Sequence, residues 1–214
     1  MNTRLVFREG LRYNVGKGVD RMKLYHGSPI GGITRLIPHG AEHGTAVFLT
    51  DIPTLAAIYA HENHVWYTYC FDRERHLVYD EVFPDQLRRL YEGRSGYIYT
   101  VNTDAFQHEH MPWVYLSGPV DVAECQVIPD LYAHLLNEID AGRLVLRRHK
   151  DMPEYTLSCY RQMTVDGLLK EGYMEHPERE YAQFVQTYMP ELWEEARQRA
   201  PASSELSAEP RADN

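Results

Sequence analysis

An α+β fold dominated by antiparallel strands is what the sequence predicts, and three observations predict it. From Met22 to about residue 128 the apolar runs are short, rich in β-branched and aromatic residues, and separated by Gly, Pro and Asp, the grammar of strands and turns. The helical stretches between them are brief. After Pro129 the spacing turns helical, with Leu131, Leu135, Leu136 and Ile139 on one face and Gly142 as the stop.

Taken in order, strands are expected near 23–26, 46–50, 66–71, 77–81, 96–102 and 119–128. Helices are expected at 52–61, where Asp51 is placed to cap and Pro53 suits the first turn, and at 84–91, closed by Gly93. Further helices fall at 131–142, 154–171 and 178–199, the last interrupted near Pro190, because proline removes a backbone donor. There is no internal repeat. The expected organisation is an N-terminal extension over 1–21, a main domain over 22–142, a helical region packing on it over 143–199, and a tail over 200–214. The end, "PASSELSAEPRADN", is too small and polar to offset its ordering entropy and is read as disordered.

Composition narrows the function classes. A chain of 214 residues with 43% hydrophobic content supports one substantial core. The 22 Lys+Arg against 31 Asp+Glu leave a formal charge of −9, so the surface as a whole supplies no broad grip on nucleic acid, and only a local basic groove stays open. Cys70, Cys125 and Cys159 are scattered with no Cys-x-x-Cys pair, which argues against a disulfide framework and a thiolate zinc site. No run reaches eighteen apolar residues, and the N-terminus lacks a signal-peptide pattern. A soluble, cytoplasmic protein with no membrane partner is expected.

Several chemical motifs fail on spacing. His61-Glu62-Asn63-His64 sets its histidines three apart where the metalloprotease helix needs four, and neither His108-Glu109-His110 nor His39 with His43 supplies a ligand grammar, so no metal is expected. Ser28 is followed by Pro29, so the Gly-x-Ser-x-Gly elbow is absent. "GKG" at 16–18 and "GGI" at 31–33 lack the spacing of a phosphate loop or dinucleotide fingerprint. No two acidic residues stand out as a glycosidase pair.

The segment 44–60, "GTAVFLTDIPTLAAIYA", says more. It runs as a strand into a helix, with Phe48 in mid-strand and Tyr59 late in the helix, able to face the same side. Two such rings suit a flat ligand, each stacked pair contributing about 0.5–1.5 kcal/mol beyond area burial. On this segment alone, core packing is the preferred reading.

With His26-Gly27-Ser28, in "LYHGSP", the arrangement resembles the ADP-ribosyltransferase catalytic domain of the diphtheria-toxin-like and poly(ADP-ribose) polymerase branch. That branch has a His-Gly-Ser/Thr strand, then a Gly-x-Gly-Ile-Tyr-Phe-Ala-Asp strand entering a helix with a second tyrosine. A late-strand glutamate follows, matched here by Glu124 in "AECQVIPD". The resemblance spans roughly 22–130 and implies split antiparallel sheets with short helices, NAD as co-substrate without a metal, and transfer of ADP-ribose to a protein or nucleic-acid acceptor. It implies that Gly27 offers its backbone to the carboxamide, that His26 holds a ribose hydroxyl, and that Glu124 stabilises the charge that develops as nicotinamide leaves. Ser28 joins the binding strand, and Arg35 either meets a pyrophosphate oxygen or is a surface arginine. For Glu124 the alternative is an edge-strand carboxylate facing water.

The departures from the family pattern bear on activity. Phe48 replaces a tyrosine, Ala56 replaces a carboxamide-orienting serine, and Val122 stands where arginine-modifying relatives carry Glu or Gln. A catalytically weak or inactive NAD/ADP-ribose-binding module and an NAD-dependent RNA 2′-phosphotransferase are the alternatives to a mono-ADP-ribosyltransferase.

Overall fold

The structure, a computed structural model, describes residues 22–41, 44–61, 63–103, 108–110 and 113–200. The expectations for 1–21 and 201–214 fall outside these residues. In chain order, β1 (Met22–Ser28), β2 (Arg35–Leu36), β3 (His39–Ala41) and β4 (Gly44–Thr50) lead into α1 (Pro53–Ile58). Then come β5 (Tyr69–Phe71), β6 (Leu77–Asp80), α2 (Gln86–Tyr91), β7 (Gly96–Thr103), β8 (His108–His110), β9 (Trp113–Leu116), β10 (Val120–Asp121) and β11 (Glu124–Ile128). The remainder is α3 (Leu131–Asp140), β12 (Leu144–Arg147), α4 (Glu154–Lys170), α5 (Glu180–Tyr188) and α6 (Pro190–Arg199).

The strands form a mixed α+β architecture. The main sheet runs β11-β7-β1-β4-β9-β8, with β3 paired to β4, and every pairing in it is antiparallel. A two-stranded ribbon joins β2 to β10, and a three-stranded sheet runs β12-β6-β5, its β12–β6 pair parallel. Alternation along the strands gives the main sheet two faces. Leu24, Val47, Leu49, Val101, Val114 and Leu116 form a small core on one face, with Leu36 joining them and Ile33, Val120 and Val122 packed against it. The other face packs on α1, whose Leu55 and Ile58 belong to a larger core shared with Tyr79, Leu87, Leu135, Val165, Val185 and Ala196. Each fully buried leucine or valine there contributes about 1.5–3 kcal/mol. The helices after residue 153 therefore pack on the same core.

Four differences from the expected elements stand out. The strand expected over 119–128 is two strands, because Val122 N–H donates to Thr34 O (3.0 Å) while Ala123 N–H donates to Thr100 O (2.8 Å), so the chain steps from the ribbon to the main sheet there. The strand expected from residue 66 opens with a 3₁₀ turn at Trp66–Thr68. Helix α1 is capped at Ile52, not Asp51, and ends at Ile58, although Pro53 does occupy its first turn. The boundary expected at 142 falls inside a sheet, since β12 hydrogen-bonds along β6 from Leu144↔Leu77 to Arg147↔Asp80.

Candidate functional site

The ladder between the two central strands opens at His26. Among the described residues, β1 and β4 share the register pair Tyr25↔Thr50, whereas β1 pairs with β7 along its whole length. At the next position His26 Nδ1–H donates to Phe48 O at 2.9 Å, so a side chain takes up a carbonyl on β4 that faces β1. A carbonyl only accepts, which fixes the proton on Nδ1 and leaves Nε2 as an acceptor. Burial holds the His26 pKa below the ordinary imidazole value, against the opposing pull of the Phe48 carbonyl, and the nearby His39 adds to the depression. The ring is thus a neutral acceptor at neutral pH.

Beside this opening stands a wall of aromatic rings on one face of β4 and β9. The register sets Phe48 opposite Tyr115 and Thr50 opposite Trp113, so Phe48, Tyr115 and Trp113 share that face. Phe48 meets Tyr115 edge-on at 5.1 Å, and His39 lies 5.5 Å from Phe48. Tyr59, at the end of α1, meets Trp113 at 5.0 Å and Tyr69 at 6.0 Å, both edge-on. Trp113 Nε1–H donates to the Tyr69 hydroxyl at 2.8 Å, and burial keeps the Tyr59 hydroxyl protonated far above the ordinary tyrosine range. Phe48 and Tyr59 therefore belong to one wall, joined through Tyr115 and Trp113, two residues apart on β9. Phe48, Tyr59, Tyr69, Trp113 and Tyr115 are all partly buried.

The other expected site residues divide. Gly27 lies against α1: a Cβ there would stand 1.8 Å from Ala56 O and 2.7 Å from Ala60 N. Helix packing alone therefore demands glycine at this position. Ser28 is buried, and its Oγ accepts from Ile30 N–H (3.1 Å), closing the turn after β1. Arg35 is exposed on the ribbon, 3.6 Å from Asp121 Oδ1, which is the surface reading.

Glu124 is not brought to His26. Tyr25, Thr100 and Glu124 form one row across β1, β7 and β11, while His26, Tyr99 and Cys125 form the next. Alternate residues leave a sheet on opposite faces, and two strand spacings separate β1 from β11 by about 10 Å. The Glu124 carboxylate is exposed and accepts from Lys23 Nζ at 3.1 Å. The expected convergence of five residues on one pocket is corrected: Gly27, Phe48, Tyr59 and Glu124 share one face, with Glu124 two strands away from β1, and His26 stands on the alternate row at the strand opening.

The sequence reading missed Tyr69, Trp113 and Tyr115. The alternation in Trp113-Val114-Tyr115-Leu116 was the available signal, since it writes one aromatic and one aliphatic face. Among the described residues no group of three or more His, Cys, Asp or Glu could hold a metal ion, and no helix is long and apolar enough to cross a membrane. No protein family, curated protein or solved structure matches the chain.

Proposed function

We propose that this chain is an ADP-ribosyltransferase-like domain that binds NAD or ADP-ribose at the opening between β1 and β4, acting first as a binding module. One observation carries the reading: the ladder opens where His26 presents a neutral acceptor, directly beside the face formed by Phe48, Tyr115, Trp113 and Tyr59. Aromatic rings suit a planar nicotinamide or adenine, and Nε2 of His26 suits a ribose hydroxyl.

Transfer of ADP-ribose to a protein or nucleic-acid acceptor is the second reading, favoured by the His26-Gly27-Ser28 and 44–60 motifs. It needs a carboxylate near the breaking nicotinamide–ribose bond, and Glu124, although on the face of Phe48 and Trp113, lies two strands from β1 with its carboxylate held by Lys23. Incubation with NAD and chromatography of the products separates the two. The binding-module reading expects retained NAD and no free nicotinamide. Steady nicotinamide release that is abolished by Glu124→Gln would overturn it in favour of the transferase.

A further inference from the structure

We propose a second ligand site, for a phosphate ester with a hydroxylated body such as a sugar phosphate, beyond the carboxyl ends of the parallel strands β6 and β12. The register Arg147↔Asp80 ends both strands together, and Glu81 N–H donates to Arg147 O (3.0 Å), so Glu81 and Arg148 leave the sheet side by side. The crevice outside the carboxyl ends of parallel strands is where open α/β sheets take their ligands. Here it holds a cavity of about 490 Å³ whose walls include Glu81, Asp85, Arg88, Tyr132, Arg148 and Lys150, a size fit for a small molecule.

Glu81 forms a neutralised floor: it is buried, and its carboxylate accepts from Arg148 Nη1 (3.2 Å), Leu87 N–H (3.2 Å) and His149 N–H (3.4 Å). That floor fixes the Arg148 guanidinium at the cavity. Arg88, whose guanidinium also bonds the Glu92 carboxylate (3.0 Å), and the exposed Lys150 enter from two different segments, so two guanidinium groups and one ammonium meet at the cavity. Guanidinium forks and an ammonium together suit phosphate oxygens. Asp85 has left-handed backbone, φ 54° and ψ 31°, a conformation that aspartate enters more readily than most residues other than glycine. Its carboxylate would repel the phosphate but accept from a hydroxyl, and Tyr132 offers a flat wall for the ligand's body. These residues assign the phosphate to Arg88, Arg148 and Lys150 and the hydroxyl to Asp85.

Calorimetric titration of the full chain with ribose 5-phosphate, inorganic phosphate and ribose tests this. Saturable binding of ribose 5-phosphate is expected, weaker binding of inorganic phosphate, and none of ribose, with affinity falling as salt rises. The double variant Arg88→Ala/Lys150→Ala removes two exposed side chains and the surface Arg88–Glu92 ion pair, and should weaken ribose 5-phosphate at least about tenfold. Asp85→Gly, which suits the positive φ, should weaken ribose 5-phosphate and spare inorganic phosphate. Absence of saturable binding, or an unchanged affinity in the double variant with its fold intact by circular dichroism, would overturn the site. Equal binding of inorganic phosphate and ribose 5-phosphate would overturn the hydroxylated body.

Discussion

Gly27 and His26 are adjacent, yet opposite demands hold them in place. Gly27 is pressed against the α1 backbone, so Gly27→Ala must displace the helix from the sheet. The expected loss is about 3 kcal/mol, at the upper end of ordinary overpacking, read as a lower urea midpoint with an unchanged slope. His26 is held neutral, and the sign of its pH effect follows. Its folded pKa lies below the ordinary 6.5, so the unfolded chain binds more protons in that window. Stability is complete above about pH 6.5 and falls as pH drops toward the depressed folded value. Urea unfolding between pH 5 and 7 should show this decline in the wild type and a flatter profile in His26→Gln; parallel profiles would place the ring in water. The sequence revealed both residues by motif, but it could not reveal that glycine serves helix packing, because the contacting Ala56 carbonyl is 29 residues away in the chain.

At the scale of elements, the three-stranded sheet is locked by one buried charge. Asp80 is fully buried, accepts from Arg147 Nε and Nη2 at 2.5 and 2.7 Å, and also accepts from the Tyr160 hydroxyl of α4. Removing one partner of such a pair is costly because it strands the other charge. Arg147→Ala is expected to destabilise by about 3 kcal/mol, and Asp80→Asn/Arg147→Met by less than that, both measured by denaturant unfolding. Equal losses would mean that the charges contribute nothing as a pair. Elements with long periodic patterns were legible: β1, β4, β6, β7 and α3 fall where spacing and turn residues put them. The short strands β2, β3, β8, β9 and β12 were not, because two to four residues hold too little alternation and their pairing depends on partners distant in sequence. Glu124 was legible as a strand residue. Its face was not, since a one-residue change of register reverses it.

For the whole molecule, the larger core runs from α1 through β6 and α2 to α6, so the helical region after residue 153 shares the interior of the strands before it. A chain ending at residue 142 loses β12 from β6 and uncovers Tyr79, Phe83 and Leu87. It should show no cooperative thermal transition, and a cooperative one would restore the sequence-based boundary. The ligand-binding claim is also a statement about the whole molecule, because its face is assembled from β1, β4, α1, β5 and β9. Titration calorimetry of NAD into the wild type, Phe48→Leu and Glu124→Gln tests it most directly. Saturable binding is predicted, weakened about threefold to tenfold by loss of the Phe48 ring and unchanged by Glu124→Gln. No saturable heat with millimolar NAD, or binding that Glu124→Gln abolishes and Phe48→Leu spares, would contradict it.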